Sequence, residues 1–357
     1  MRSYLYNLAT DKQKGPCAAV IKFFLYLLSL IYGVGVRVLA FIRSLGARGL
    51  NCKVISVGNI TLGGTGKTTL VEFIARYLKE QGRKPAILSR GYKRRQKTED
   101  RGQSYEAMGD EAFMLQANLK DVPVIVNPDR LAAAETAIRD YGADTVIIDD
   151  GLQQWRIKKD LEIVTIDATN PFGNRHLLPR GILRLNLSSL KRADIFVLTK
   201  TDLAPDNIEA IKNTLSKLNP QAMIIESIHS PSGFYDISKP EEFLSSSLLK
   251  GRTVTLFCGI GDPRSFENLI ARCAINVGLA FRFGDHHSYT CRDLEKIIEA
   301  SRSKGIDTIV TTEKDAVRIP QSCRLLKQPA ILVLRIALKI TQNEKGFYSR
   351  LLGLYNS

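Results

Sequence analysis

Apolar positions recur along the chain in two alternating rhythms. Short runs rich in β-branched residues, at 53–57, 85–89, 122–126, 145–149, 162–167, 195–199 and 222–227, read as buried strands. Between them lie stretches of helical periodicity. The clearest carries Leu70, Phe73, Ile74, Tyr77 and Leu78, with Gly82 placed for a left-handed cap. This alternation predicts an α/β fold with a doubly wound, mainly parallel sheet. Several runs end in Asp, Ser or Thr, at the carboxyl edge where such sheets hold ligands. From 228 to 250 the periodicity lapses into Pro, Ser and Gly, which predicts a linker. A second set follows, with strands at 253–257, 308–311 and 331–334 and helices at 264–274 and 292–303. A length of 357 residues suits two domains. The expected division is a first domain over 46–227, joined by an N-terminal helix within 1–45, and a smaller α/β domain over 251–357.

The run IKFFLYLLSLIYGVGVRVLAFI, 21–42, changes this picture. Its longest uncharged stretch, 23–36, is shorter than the roughly 20 residues a membrane span needs, and Arg37 interrupts it. No small-residue cleavage site follows, so a secretory signal fits poorly. The expectation is a monotopic amphipathic helix with Lys22, Arg37 and Arg43 at its edges; a helix buried on the first domain is the alternative. Lys and Arg outnumber Asp and Glu by 51 to 36, and the net charge of +15 favours a polyanionic partner: nucleic acid, anionic headgroups or a phosphorylated substrate. A merely solvated basic surface is the plainer reading. The basic and aromatic interleaving of single-strand readers is missing, so nucleic acid ranks last. Cysteines stand at 17, 52, 258, 273, 291 and 323 without a C-x-x-C pair, and they read as reduced cytosolic thiols.

The sharpest chemical signal is TLGGTGKTT, 61–69, between the first strand and a helix. Gly63, Gly64 and Gly66 let backbone N–H groups close on phosphate oxygens, Lys67 supplies charge for the β and γ phosphates, and Thr68 offers a hydroxyl to Mg²⁺. Thr61, Thr65 and Thr69 complete the nucleotide-binding set, although the usual pattern has Gly where Thr61 stands. Asp149 and Asp150 end a strand before Gly151, which suits a pair of magnesium-side carboxylates and equally a turn cap. Ser89-Arg90-Gly91-Tyr92 closes the second strand and runs into Lys93, Arg94, Arg95 and Lys97, either an anion-holding cluster or a solvated loop. Asp110 and Glu111 fall in the first turn of a helix, as dipole partners or as a general base. The pair His286-His287 is by itself more often structural than catalytic. Thr199-Lys200-Thr201-Asp202 admits a different class, a P-loop GTPase or metallochaperone reading guanine.

Taken in order, GGTGKT, ILSRGY, GDE, Asp129-Arg130, DDGLQ, PFGN, LLP-x-G, DHH-x-Y and TEKDA resemble the tetraacyldisaccharide 4'-kinases of lipid A biosynthesis. That family carries Thr at the first position of the loop. The resemblance implies transfer of the γ-phosphoryl group of ATP, with Mg²⁺, to the 4'-hydroxyl of a lipid-anchored glucosamine disaccharide at the cytoplasmic face of the bacterial inner membrane. No obligate protein partner is implied. Asp110 would be the base, helped by His286; Thr68, Asp149 and Asp150 would serve the metal. Ser89, Arg90, Tyr92, Glu111, Arg130, Gln154 and Asn174 would line the substrate side. The chain departs from the family at Gln154, where His is usual, at Arg180 within the PAG triplet, and at Leu185, where Glu is usual after Arg184.

Overall fold

The structure, a computed structural model, describes residues 2–91, 108–323 and 329–356. The chain divides into two compact units, Met1–Arg90 with Asp121–Ile228 and Lys339–Ser357, and Gly91–Lys120 with His229–Leu338.

The first unit is built on strands β1 (Lys53–Gly58), β2 (Pro85–Ser89), β3 (Val124–Val126), β4 (Thr145–Asp149), β5 (Leu161–Asp167), β6 (Ile195–Thr199) and the first half of β7 (Met223–Asp236). They pair in the order β7-β6-β5-β1-β4-β2-β3, all parallel. β2, β4 and β6 are buried along their whole length, which explains their continuous apolar runs in place of alternation. Register sets Val57 beside Asp149, so the loop leaving β1 starts next to the acid that ends β4. On one side of the sheet Ala133, Ala134 and Ala137 bring helix Arg130–Tyr141 close to Val54, Leu88 and Val146. Elsewhere Phe196, Leu198, Ile211 and Leu215 form a second cluster, each such side chain contributing about 1.5–3 kcal/mol by burial.

Residues 339–357 fold with this unit, not with the second domain as expected. Helix Glu344–Leu352 buries Phe347 and stacks Tyr348 on Tyr77 at 4.3 Å, and the Tyr355 hydroxyl lies 2.6 Å from that of Thr145. Sequence separation of more than 200 residues hid these contacts.

The apolar N-terminal segment is one helix, Pro16–Leu45, and the buried-helix alternative is overturned. Only Ala18, Ser29 and Gly33 are buried, while Ile31, Phe41 and Leu45 are 70%, 65% and 73% exposed. Its inner stripe continues through Lys22, Leu25, Tyr32, Val36 and Ala40 at helical spacing. A Cβ at Gly33 would come within 2.8 Å of Leu177 Cδ1, so glycine permits this close approach. Asp11 fastens the helix: it receives Lys22 at 2.7 Å, both terminal nitrogens of Arg180, and the Asn174 amide at 2.9 Å. The Tyr32 hydroxyl donates to the Arg184 carbonyl.

In the second unit, β9 (Thr253–Cys258), β10 (Asn276–Arg282), β11 (Thr308–Thr312) and β12 (Ala330–Gln342) pair in parallel in the order β10-β9-β11-β12. The expected linker over 228–250 is instead structured: the second half of β7 pairs antiparallel with β8 (Lys239–Leu244), Phe234 opposite Leu244. β8 and β10 escaped the sequence reading because they are largely exposed and lack a buried apolar run. Helix Asp110–Asn118 also belongs here, through Glu111 with Lys314 and Asn118 with Glu313, so the first domain does not run unbroken over 46–227. The expectation of six reduced thiols fails as well. Cys291, opening helix Cys291–Ser303, is disulfide-bonded to Cys323, 32 residues on, with Cα atoms 5.4 Å apart; the fold creates that proximity and the spacing does not show it.

Candidate active site

Each unit carries one group of the expected residues. In the first, the loop after β1 turns at Gly63 (φ 115°) and Gly66 (φ 78°), left-handed positions that favour glycine. Thr68 is in the first turn of helix Lys67–Glu80, whose N-terminal amides and dipole suit an anion. Side chains hold the loop in shape. Asn59, fully buried, donates to the Thr61 carbonyl and accepts Lys67 Nζ at 3.1 Å. Thr65 shares a hydrogen bond with Thr165, the Thr199 hydroxyl donates to the Thr65 carbonyl, and Thr69 donates to the Gly66 carbonyl. Thr61 is buried and bridges to Leu183, so this threonine shapes the loop where glycine is usual. Gly64 lies in open space.

At the end of β4, Asp149 is buried and Asp150 adopts φ 55°. Arg184 grips the Asp150 carboxylate with two hydrogen bonds of 2.7 and 2.6 Å and also donates to Asn59, while Lys67 stands 3.8 Å away. Burial alone would raise the Asp150 pKa, but the Arg184 hydrogen bonds and the Lys67 charge outweigh it and bring it to about 2. Among the described residues no cluster of three His, Cys, Asp or Glu side chains could hold a metal unaided. The Thr68 hydroxyl and the two carboxylates are nonetheless the hard-oxygen type that fits Mg²⁺, which takes one or two carboxylates and completes its shell with phosphate and water.

Arg130 is buried and donates to the Asn127 carbonyl at 2.7 Å and more weakly to that of Asp149; its Nε has no partner among the described residues. Ser89 is buried at the end of β2, Arg90 is exposed, and Gln154 is half-buried after the turn that follows Asp150. Tyr92 and the basic run 93–97 lie outside the described residues. Asn174, expected on the substrate side, has its amide directed to Asp11 and Arg180. Lys200 is ion-paired with Asp167 at 2.6 Å, both ends well buried.

The second group lies within the other unit. Asp110 opens its helix behind Gly109 (φ 85°). Its Oδ2 accepts Arg318 Nε at 2.6 Å and lies 3.3 Å from His286 Nδ1. Burial pushes the Asp110 carboxyl up, but hydrogen bonds and charge from His286 and Arg318 more than reverse this, and it stays below the ordinary carboxylate value. The two histidines part ways: His287 stacks on Phe283 and meets Asp293, whereas His286, at φ 60°, faces Asp110. Beneath them Asp315 is buried and accepts from the Gly259 amide, Tyr289, Thr312 and Arg318. Glu111 is paired with Lys314 at 2.7 Å. Sequence reasoning did not single out Arg318, Asn59 or Asp11. Arg318 stands two residues beyond the TEKDA motif, and its nearness to that motif was the only signal.

A family model described as tetraacyldisaccharide-1-P 4'-kinase matches residues 21–356. The chain belongs to the tetraacyldisaccharide 4'-kinase family. Members similar to it include the tetraacyldisaccharide 4'-kinases of Halothermothrix orenii, 37% identical with 89% of this chain and 88% of that protein covered, and of Elusimicrobium minutum, 38% identical with the same shares. Among solved structures it is similar to LpxK from Aquifex aeolicus in complex with ATP, 25% identical, with a TM-score of 0.74 over 94% of this chain and 99% of that one. Family membership makes the chain an ATP-binding kinase with the mainly parallel α/β fold anticipated from its alternation. Two of its departures have local reasons. Arg180 supplies the guanidinium that pairs with Asp11, and Leu185 is buried in the cluster with Leu183 and Phe196. Nothing in the structure explains Gln154.

Proposed function

We propose that the chain transfers the γ-phosphoryl group of ATP to the 4'-hydroxyl of a tetraacylated glucosamine disaccharide 1-phosphate. Lys67 and the loop amides hold the β and γ phosphates. Mg²⁺, held by Thr68 and Asp149, would neutralise charge on the transferring group. Asp110 takes the hydroxyl proton as the acceptor oxygen forms its bond to phosphorus and the bond to the β–γ bridging oxygen breaks, releasing ADP. The observation that carries this reading is the Asp110 carboxylate, whose hydrogen bonds among the described residues fall on Oδ2 and leave Oδ1 for an acceptor. Arg130 and Arg90 supply positive charge for the substrate's phosphate. The test is incubation of the full chain with γ-labelled ATP, Mg²⁺ and the disaccharide 1-phosphate in detergent: a doubly phosphorylated lipid is expected, and label released only as inorganic phosphate would refute the assignment.

The reading includes peripheral attachment to the cytoplasmic face of the inner membrane. Helix Pro16–Leu45 is long and apolar enough to cross a bilayer. Its inner stripe, however, lies on protein along most of its length, and a crossing would carry Asp11, Lys22 and Arg180 into hydrocarbon. Lying in the interface avoids this, with Phe23, Phe24, Ile31 and Phe41 toward the acyl chains. Full-length protein is expected to co-sediment with anionic vesicles better than with neutral ones. Salt should weaken the charge-dependent share and leave the apolar share. A chain lacking residues 1–45 that binds vesicles equally well would exclude the helix as the attachment.

A further inference from the structure

Arg318 is 3% exposed and directs its donors to four groups of three kinds. Nε goes to Asp110 Oδ2 at 2.6 Å, Nη1 goes to the Gly259 carbonyl at 2.9 Å and to Asp315 Oδ1 at 3.3 Å, and Nη2 stands 3.2 Å from His286 Nδ1. A guanidinium only donates. His286 Nδ1 stands 3.3 Å from Asp110 Oδ2 and 3.2 Å from Arg318 Nη2, so the three side chains meet at one point. The Gly259 carbonyl, which also accepts the His286 backbone amide, ties the arginine and the histidine to one point of the backbone.

We propose that Arg318 is a positioning residue for the phosphoryl-transfer base: it clamps Asp110 through Oδ2, so that Oδ1 faces the acceptor. This rests on the reading of Asp110 as the base. The titratable groups around Asp110 among the described residues are Arg318, backed by buried Asp315, and His286, which stands 3.9 Å from Asp285. Glu111 is neutralised locally by Lys314.

Without the guanidinium, Asp110 loses its clamp and a positive neighbour. That favours the protonated carboxyl, so the acid limb of kcat moves to higher pH. In Arg318→Gln the expected shift is about one pH unit or more, a tenfold loss of turnover near the foot of the limb, with the KM for ATP unchanged. Arg318→Lys keeps a positive charge beside His286 but cannot hold the fork, so it should retain most of the limb's position while lowering kcat at its plateau. The Asp110 carboxyl is titrated by NMR in the full chain without substrates. Its midpoint should rise in Arg318→Gln and stay near the wild-type value in Arg318→Lys. An unchanged Asp110 midpoint in a folded Arg318→Gln protein overturns the proposal whatever its activity. If the midpoint rises but Asp110→Asn keeps full turnover, Arg318 does set the charge of the carboxyl and it is the reading of Asp110 as the base that fails. Should Arg318→Gln not fold, the Arg318→Lys variant still decides, because a wild-type kcat plateau there would contradict the clamp.

Discussion

Replacing Lys67 with alanine is expected to lower phosphoryl transfer by about three orders of magnitude, the upper end of what a single preorganised donor to transition-state charge supplies. The side chain is poised for this. Its Nζ is held 3.1 Å from Asn59 Oδ1 and 3.8 Å from Asp150, so its direction is set before nucleotide arrives. The fold should tolerate the loss, because Arg184 still satisfies Asp150 and Asn59. Thr68→Ala should fall by a similar amount but recover in part as Mg²⁺ is raised, since a lost metal ligand weakens binding that concentration can offset. Lys67→Ala should not recover. Single-turnover transfer from labelled ATP, measured across a Mg²⁺ series, separates the two, and wild-type turnover in Lys67→Ala would contradict the role of the loop.

What the sequence shows of this fold follows from what burial does to a strand. β2, β4 and β6 are covered on both faces, so their apolar runs are continuous and their ends coincide with those read from the pattern. β8 and β10 are exposed and carry polar residues, and no pattern marks them. The phosphate loop was legible because strand, glycines, lysine and helix are consecutive in the chain. The Asp110 cluster was legible only in part: Asp110 and His286 lie 176 residues apart, and only the resemblance joined them. Arg318 stayed hidden because an arginine two residues past a motif looks like a surface residue until the fold buries it. The same limit explains the misplaced domain boundary. Helix Asp110–Asn118 and helix Glu344–Leu352 each pack on partners far along the chain.

The second large effect is expected at Asp110. Asp110→Asn should lower kcat by about 10²–10⁴-fold, the span general-base catalysis usually contributes, with the KM for ATP little changed. Asparagine keeps the size and an oxygen for Arg318 Nε, so the loss reads chemistry and not collapse. The pH dependence follows from the direction of the Asp110 shift. Its carboxyl is held below the ordinary value, so the active, ionised form persists as pH falls through the usual carboxylate range, and the acid limb of kcat lies below it. A depressed pKa also makes a weaker base, which suits phosphoryl transfer with a loose transition state, where the hydroxyl proton leaves late and positioning matters more than basicity. If His286 acts through Asp110, Asp110→Asn combined with His286→Ala should cost less than the sum of the two single changes expressed as free energies. Strict additivity would make the two side chains independent, and loss of ATP binding in Asp110→Asn would move that residue from the acceptor to the nucleotide.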